Sequence, residues 1–298
     1  MKVKIFVSII TFIVSQYAFS QDFYSDINDK TKYNVTIHFK DSTQQQYNAV
    51  RISSLSTGLK QKYTMMPSFK PLSLKRLKKQ KVIIKPNKSK KIEIPNNSIQ
   101  TLIIENVKNG STFKFKSLTI KEFDKNLNLV TIAENILLPL RYSDSLNIYG
   151  FKLITVDSYT EHKNGFSSQR TMPPTLSGIY YYLNHPDDNV VINPIDFSGG
   201  MFNTKLISDK FVATLKEIGK DCDAFVTQYE NYNYAKVSKE QSKEFMKTYR
   251  KKIKAIKKES KKLPKKEREA FMEREYERIF MLDNFIKIID NYKSKCGK

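Results

Sequence analysis

The chain has 298 residues, with 52 Lys+Arg against 30 Asp+Glu and a net charge of +22. A hydrophobic content of 40% with 17 Tyr and 19 Phe excludes a disordered chain, while 9 Gly and 10 Pro exclude collagen-like or linker-like character. Two Cys exclude a disulfide-dense mini-fold and any Cys-based zinc cluster.

Lys2 and Lys4 make a short positive start, and Ile5 to Val14 is a nearly unbroken apolar run. Ala18-Phe19-Ser20 then offers small residues at the −3 and −1 positions ahead of Gln21. The pattern predicts a secretory signal peptide over 1–20. An anchor helix is the alternative, but ten residues rise only about 15 Å against a hydrocarbon core of about 30 Å. No Cys stands at the cleavage point to carry a lipid. The mature chain is therefore expected in an oxidising space, periplasmic or extracellular. Export removes nucleic acid as the obvious partner of a basic protein and leaves anionic lipid or an envelope polymer. Lys, Asn and Ile are used heavily throughout, so much of the positive charge reads as a compositional habit.

From Tyr33 the apolar period is two: Tyr33, Val35, Ile37 and Phe39 share a face opposite Asn34, Thr36 and His38. Tyr47 to Ile52 is a partner strand across an Asp41-to-Gln44 turn. Residues 55–80 read as irregular and basic. Short strands follow at Val82–Ile84, Ile92–Ile94 and Gln100–Val107, and Asn109-Gly110 marks a hairpin into Thr112–Ile120. Further strands are predicted at Leu127–Ile132, Leu146–Val156, Gly178–Leu183 and Val190–Ile195. In the Tyr180-Tyr181-Tyr182 run, alternation sets Tyr181 against the other two. The pattern predicts an antiparallel β-rich domain over 21–205.

The period changes near 207. Ser208 or Asp209 can cap a helix carrying Phe211, Val212, Leu215 and Ile218, with Gly219 as its stop. Asp221 can open a short helix through Tyr229. A long helix over about Ser238–Lys262 carries Phe245, Tyr249, Ile253 and Ile256, and Pro264 opens another through Met272, Tyr276, Ile279, Phe280, Ile286 and Ile289. The region 206–298 is thus predicted helical: short helices over 208–230, then a basic hairpin over 238–293. The fold class is α+β.

Cys222 and Cys296 read as one disulfide in an oxidising compartment, worth about 4.5 kcal/mol of chain entropy. Free or intermolecular thiols and a redox pair are the alternatives, although there is no C-x-x-C. The three histidines are His38 on a polar strand face, His162 in a solvated loop, and His185 in a Pro-Asp-Asp turn. A metal set of His185, Asp187 and Asp188 lacks fixed ligand spacing. Gly165-Phe166-Ser167-Ser168-Gln169 lacks the second Gly of a nucleophile elbow. No phosphate loop or dinucleotide fingerprint is present, and no cofactor is expected. In a eukaryotic setting Asn34, Asn87, Asn96 and Asn109 would be glycan acceptors.

Lys236 to Lys266 holds 14 Lys/Arg against 3 Glu. As a surface-docking face it would use Lys247, Arg250, Lys251, Lys254, Lys257, Lys258, Lys261, Lys262, Lys265 and Lys266. As the solvated side of a packed helix, the same lysines would surround Phe245, Tyr249, Ile253 and Ile256 and pair with Glu267, Glu269, Glu273, Glu275 and Glu277.

The leader ending Ala18-Phe19-Ser20-Gln21, the strand Ile179-Tyr180-Tyr181-Tyr182-Leu183, Lys220-Asp221-Cys222 and the tail Ile289 to Cys296 together resemble a group of secreted or periplasmic β-rich proteins of Bacteroidetes, flavobacteria especially. The resemblance covers about 90–296 and departs from the group's pattern at the basic segment 237–275, which looks like an insertion. It implies an exported β-rich protein with no assigned activity. The functional expectation is an exported, non-enzymatic envelope or interaction protein. The alternative is an extracellular hydrolase with a loop-built site near His162 or His185.

Overall fold

Tyr33, Val35 and Ile37 alternate with polar neighbours, and all three are buried on one face of β1 (Tyr33–Phe39). The computed structural model describes residues 27, 30–53, 58–62, 81–87, 90–108, 110–156, 158–163, 166–171, 175–194, 203–233, 236, 251–264, 267–268, 271–272, 275 and 283–297. The predicted signal peptide, 1–20, lies outside them.

β1 pairs with β2 (Gln44–Ser53) and β6 (Ile99–Asn106). A bulge in β2 places Ala49 at φ +52°, and the Asn34 side chain accepts the Ala49 N–H at 3.1 Å. The extra residue shifts the strand's parity, so Tyr47 and Val50 both reach the core. β4 (Lys81–Lys85) and β5 (Ile92–Pro95) extend the sheet beyond β2. Phe113 and Phe115 of β7 (Thr112–Phe123) close this first core. Gly110, at φ +71°, turns the chain between β6 and β7, where the Asn-Gly signal placed it.

β7 then changes the face it buries. Phe113 and Phe115 serve the first core, whereas Leu118 and Ile120 serve a second one on the opposite side. Its partner β8 (Leu129–Ser143) follows the change through a bulge at Asn135, φ +57°. Leu137 points to the first core, and Ile136 and Leu138 to the second.

The second core is the inside of a small barrel. β7, β8, β9 (Asn147–Val156) and β12 (Thr175–Asn184) pair antiparallel in that order. β13 (Val190–Ile192) pairs antiparallel with β12 and parallel with β7, closing the ring. A ring of five alternating strands must contain one parallel pair, and β13–β7 is that pair. Each strand sends a side chain inward, including Tyr149, Tyr182 and Val191. β3 (Gly58–Lys62) runs parallel along the part of β9 that β8 leaves. β10 (Ser158–Lys163) and β11 (Phe166–Thr171) form a separate hairpin.

Outside the barrel, Tyr181 and Leu183 meet a helical layer, as the alternation of the tyrosine run predicts. α1 (Thr204–Ile218) packs Phe211, Leu215 and Ile218 there. Burying each such side chain stabilises by about 1.5–3 kcal/mol. Its cap is Asn203, whose Oδ1 accepts the Leu206 N–H at 3.1 Å. The expected cap Ser208 instead lies within the helix and donates to the Thr204 carbonyl. α2 (Asp223–Val226) contributes Phe225. Residues 251–260 form α3, and α4 (Asp283–Cys296) ends the helical layer with Phe285, Ile288, Ile289 and Tyr292. The fold is α+β, β-rich first and helical after. Of the predicted long helix, Phe245 and Tyr249 lie outside the described residues, as do Tyr276, Ile279 and Phe280 of the next.

Candidate functional site

The turn Asn184-His185-Pro186-Asp187-Asp188-Asn189 joins β12 to β13 and is clipped to the barrel by its carbonyls. Lys116 Nζ donates to Asp188 O at 2.9 Å and Pro186 O at 3.2 Å, and Asn184 Nδ2 donates to Asp188 O at 2.9 Å. Burial, helped by neighbouring Lys114, holds the Lys116 ammonium below its usual range, against the opposing pull of Asp187 and Asp188. The Thr119 N–H donates to Asn189 O at 2.8 Å.

His185 is committed to the helical layer. Its Nε2 lies 2.6 Å from the Ile218 carbonyl oxygen at the end of α1, and a carbonyl only accepts, so that nitrogen carries the proton. The ring also meets Tyr292 edge-on at 5.4 Å. Between the turn and the α1 end lies a cleft of about 160 Å³ with Lys121, His185, Asp188, Glu217 and Lys220 around an apolar floor. Among the described residues that line the cleft itself there is no hydroxyl or thiol. No three His, Cys, Asp or Glu among the described residues converge on a metal position.

His38 is half-buried on β1. His162 is not in a loop: it sits on β10, directly opposite Ser167 of β11. Polar strands such as Tyr159 to Lys163 carry no apolar alternation, which is why the hairpin escaped the sequence pattern.

Cys222 and Cys296 form a disulfide, with Cα atoms 5.8 Å apart, closing a separation of 74 residues. It ties the start of α2 to the end of α4. Lys293 Nζ adds a bond to each Asp144 oxygen at 3.0 Å, anchoring α4 to the β8–β9 turn. That contact raises the Lys293 ammonium above its usual range.

On α3 Ile256 and Ser260 are buried and Ile253 is half-buried, while Lys251, Lys254, Lys257 and Lys258 are exposed, as are Lys261 and Lys262 just beyond. Lys262 pairs with Glu259 at 2.8 Å. Arg268, a residue the charge pattern did not single out, donates to the Leu263 and Lys261 carbonyls and caps this turn. Lys247, Arg250, Lys265 and Lys266 lie outside the described residues.

Compared with known protein families, curated proteins and solved structures, the chain matches none. Among the described residues no helix is long and apolar enough to cross a membrane.

Proposed function

We propose that the protein is an exported envelope protein that acts by binding, docking on an anionic surface through the lysine face of α3. The observation that carries the reading is the orientation of that helix. Its apolar side is turned inward at Ile256, and its lysines face solvent. A helix so placed contributes charge without inserting, at about 1 kcal/mol per Lys near an anionic surface. The Cys222–Cys296 disulfide supports export, since such bonds persist in oxidising compartments. Kinship with exported β-rich proteins of Bacteroidetes belongs to the same proposal.

The test is cosedimentation of the oxidised mature protein with phosphatidylglycerol vesicles. Binding at low salt should fall steeply with added salt, and a Lys251→Gln/Lys254→Gln/Lys258→Gln variant should lose most of it. Absence of binding at low salt removes the docking claim. Mass analysis of protein from the periplasm should show a chain beginning at Gln21; an intact Met1 would remove export.

A hydrolase is the second reading, favoured by the register pair His162–Ser167. It requires that a screen of ester substrates find an activity that both His162→Ala and Ser167→Ala abolish.

A further inference from the structure

From Ser42 to Ile92 the chain has 13 Lys/Arg and no Asp or Glu. Lys236 to Lys266 is the second basic stretch, with 14 Lys/Arg against 3 Glu. Everything else holds 25 Lys/Arg against 27 Asp/Glu. The positive charge is therefore concentrated in two stretches, not spread as a compositional habit would spread it.

β2, β4 and β5 fold part of the first stretch into the outer edge of the large sheet. Val50, Ile52, Val82, Ile84 and Ile94 turn into the core. The alternate positions put Arg51, Lys81 and Lys85 on the exposed side, with Lys90 and Lys91 leading into β5. Arg51 and Lys85 stand directly opposite each other across β2 and β4. Like charges in that relation destabilise a sheet. Glu93 is the one acid on this face among the described residues, and Lys81 and Lys91 both pair with it. Their hydrogen bonds, Lys91 first, hold its carboxyl below the usual range.

We propose that this face binds a linear anionic polysaccharide. Lys81 and Lys85 are about 13 Å apart along one strand, at ~3.3 Å per residue, and Arg51 lies one strand spacing of about 4.8 Å away. That ladder meets charges repeated along an extended chain, and the repulsion between Arg51 and Lys85 is relieved when the polymer's anions lie over them. The described residues of the face include no aromatic side chain on which nucleic-acid bases could stack. Among the described residues the exposed large apolar side chains, Val107, Leu127, Val130 and Ile132, lie on other strands and turns, so the described part of the face offers none to insert into a bilayer. No residue of α3 belongs to this face, and the inference does not rest on the docking reading.

The experiment measures binding of heparin, a sulfated polysaccharide probe, to the oxidised mature protein over a salt series. A single-stranded oligonucleotide and phosphatidylglycerol vesicles serve as comparison ligands. Arg51→Gln/Lys85→Gln should weaken heparin binding about tenfold and flatten the slope of log K against log salt by about 1–2. The same variant should melt at an equal or higher temperature, because the like-charge contact is gone. Lys254→Gln/Lys257→Gln/Lys258→Gln on α3 should leave heparin affinity within about twofold, which separates this face from the helix. Unchanged heparin affinity in the Arg51/Lys85 variant overturns the proposal. So does tighter binding of the oligonucleotide or the vesicles than of heparin.

Discussion

His185 Nε2 and the Ile218 carbonyl oxygen, 2.6 Å apart, join the hairpin that closes the barrel to the end of the first helix. Ile218 is 4% exposed, so its carbonyl sits where few other donors reach. Replacing His185 by Ala removes this bond and the edge contact with Tyr292, and should cost about 1–2 kcal/mol in urea unfolding. A His185→Ala stability equal to that of the parent would show that the hairpin and the helix are held together by Leu183 and Ile218 packing alone.

The Cys222–Cys296 bond spans 74 residues that include α3 and most of α4. Closing a loop of that length chiefly restricts the unfolded chain, so Cys222→Ser/Cys296→Ser should lower stability by about 2–5 kcal/mol, with the chain-entropy value of about 4.5 near the upper end. Phe225 and Tyr292 pack ring to ring at 5.2 Å beside the bond and should keep α4 seated in the reduced protein. The comparison is urea unfolding with and without reductant, read by near-ultraviolet dichroism. An unfolding midpoint insensitive to reductant would mean that the crosslink does nothing for the fold.

Strands with one buried face were legible because their side chains alternate: β1, β6 and the start of β7 follow the pattern directly. The second half of β8 was not, because Ile136, Leu137, Leu138 and Pro139 are all buried, between two cores, and no period survives. β10 and β11 were hidden for the opposite reason, having polar residues on both faces. The start of α1 was misplaced because Ser208 resembles a cap chemically, while the true cap Asn203 precedes a polar first turn. Barrel closure rests on three residues of β13 pairing across about seventy positions of chain with Thr119, Ile120 and Lys121, and no local pattern carries that. The cleft beside His185 forms only when that hairpin meets α1, so it too was invisible. The disulfide and the lysine face of α3 could be read because each depends on composition and local period.

Gly150 lies opposite Tyr181 in the β9–β12 ladder, with the backbone too close for a side chain. A Cβ there would stand 2.5 Å from the Tyr180 carbonyl oxygen and 2.9 Å from Tyr181 Cδ1. The carbonyl belongs to the ladder and cannot swing aside. The Gly150 carbonyl also accepts the Nε–H of buried Arg141 at 3.0 Å, so a shift of β9 would disturb that bond as well. Gly150→Ala should therefore destabilise by about 1–3 kcal/mol, as overpacking does in a filled core. Thermal unfolding of the variant checks this, and a stability matching the parent would mean that the two strands separate freely.

Tyr149 is buried inside the barrel, and burial pushes its hydroxyl up to about 12, against a smaller opposing effect of its hydrogen bond with Asn147. In the unfolded chain the same group titrates near 10. The folded state thus favours the protonated phenol. Its contribution is fully present below pH 10 and is lost as pH rises from 10 through 12. Two units correspond to about 3 kcal/mol. Tyr142, Tyr229 and Tyr292 are shifted in the same direction by burial, so the alkaline loss of the parent has several sources. Tyr149→Phe keeps the ring and removes the titrating group, which isolates one source. Urea unfolding at intervals between pH 8 and pH 12 should give the variant a shallower alkaline limb than the parent. Parallel limbs would mean that Tyr149 ionises without opening the barrel, and that water reaches its hydroxyl in the folded state.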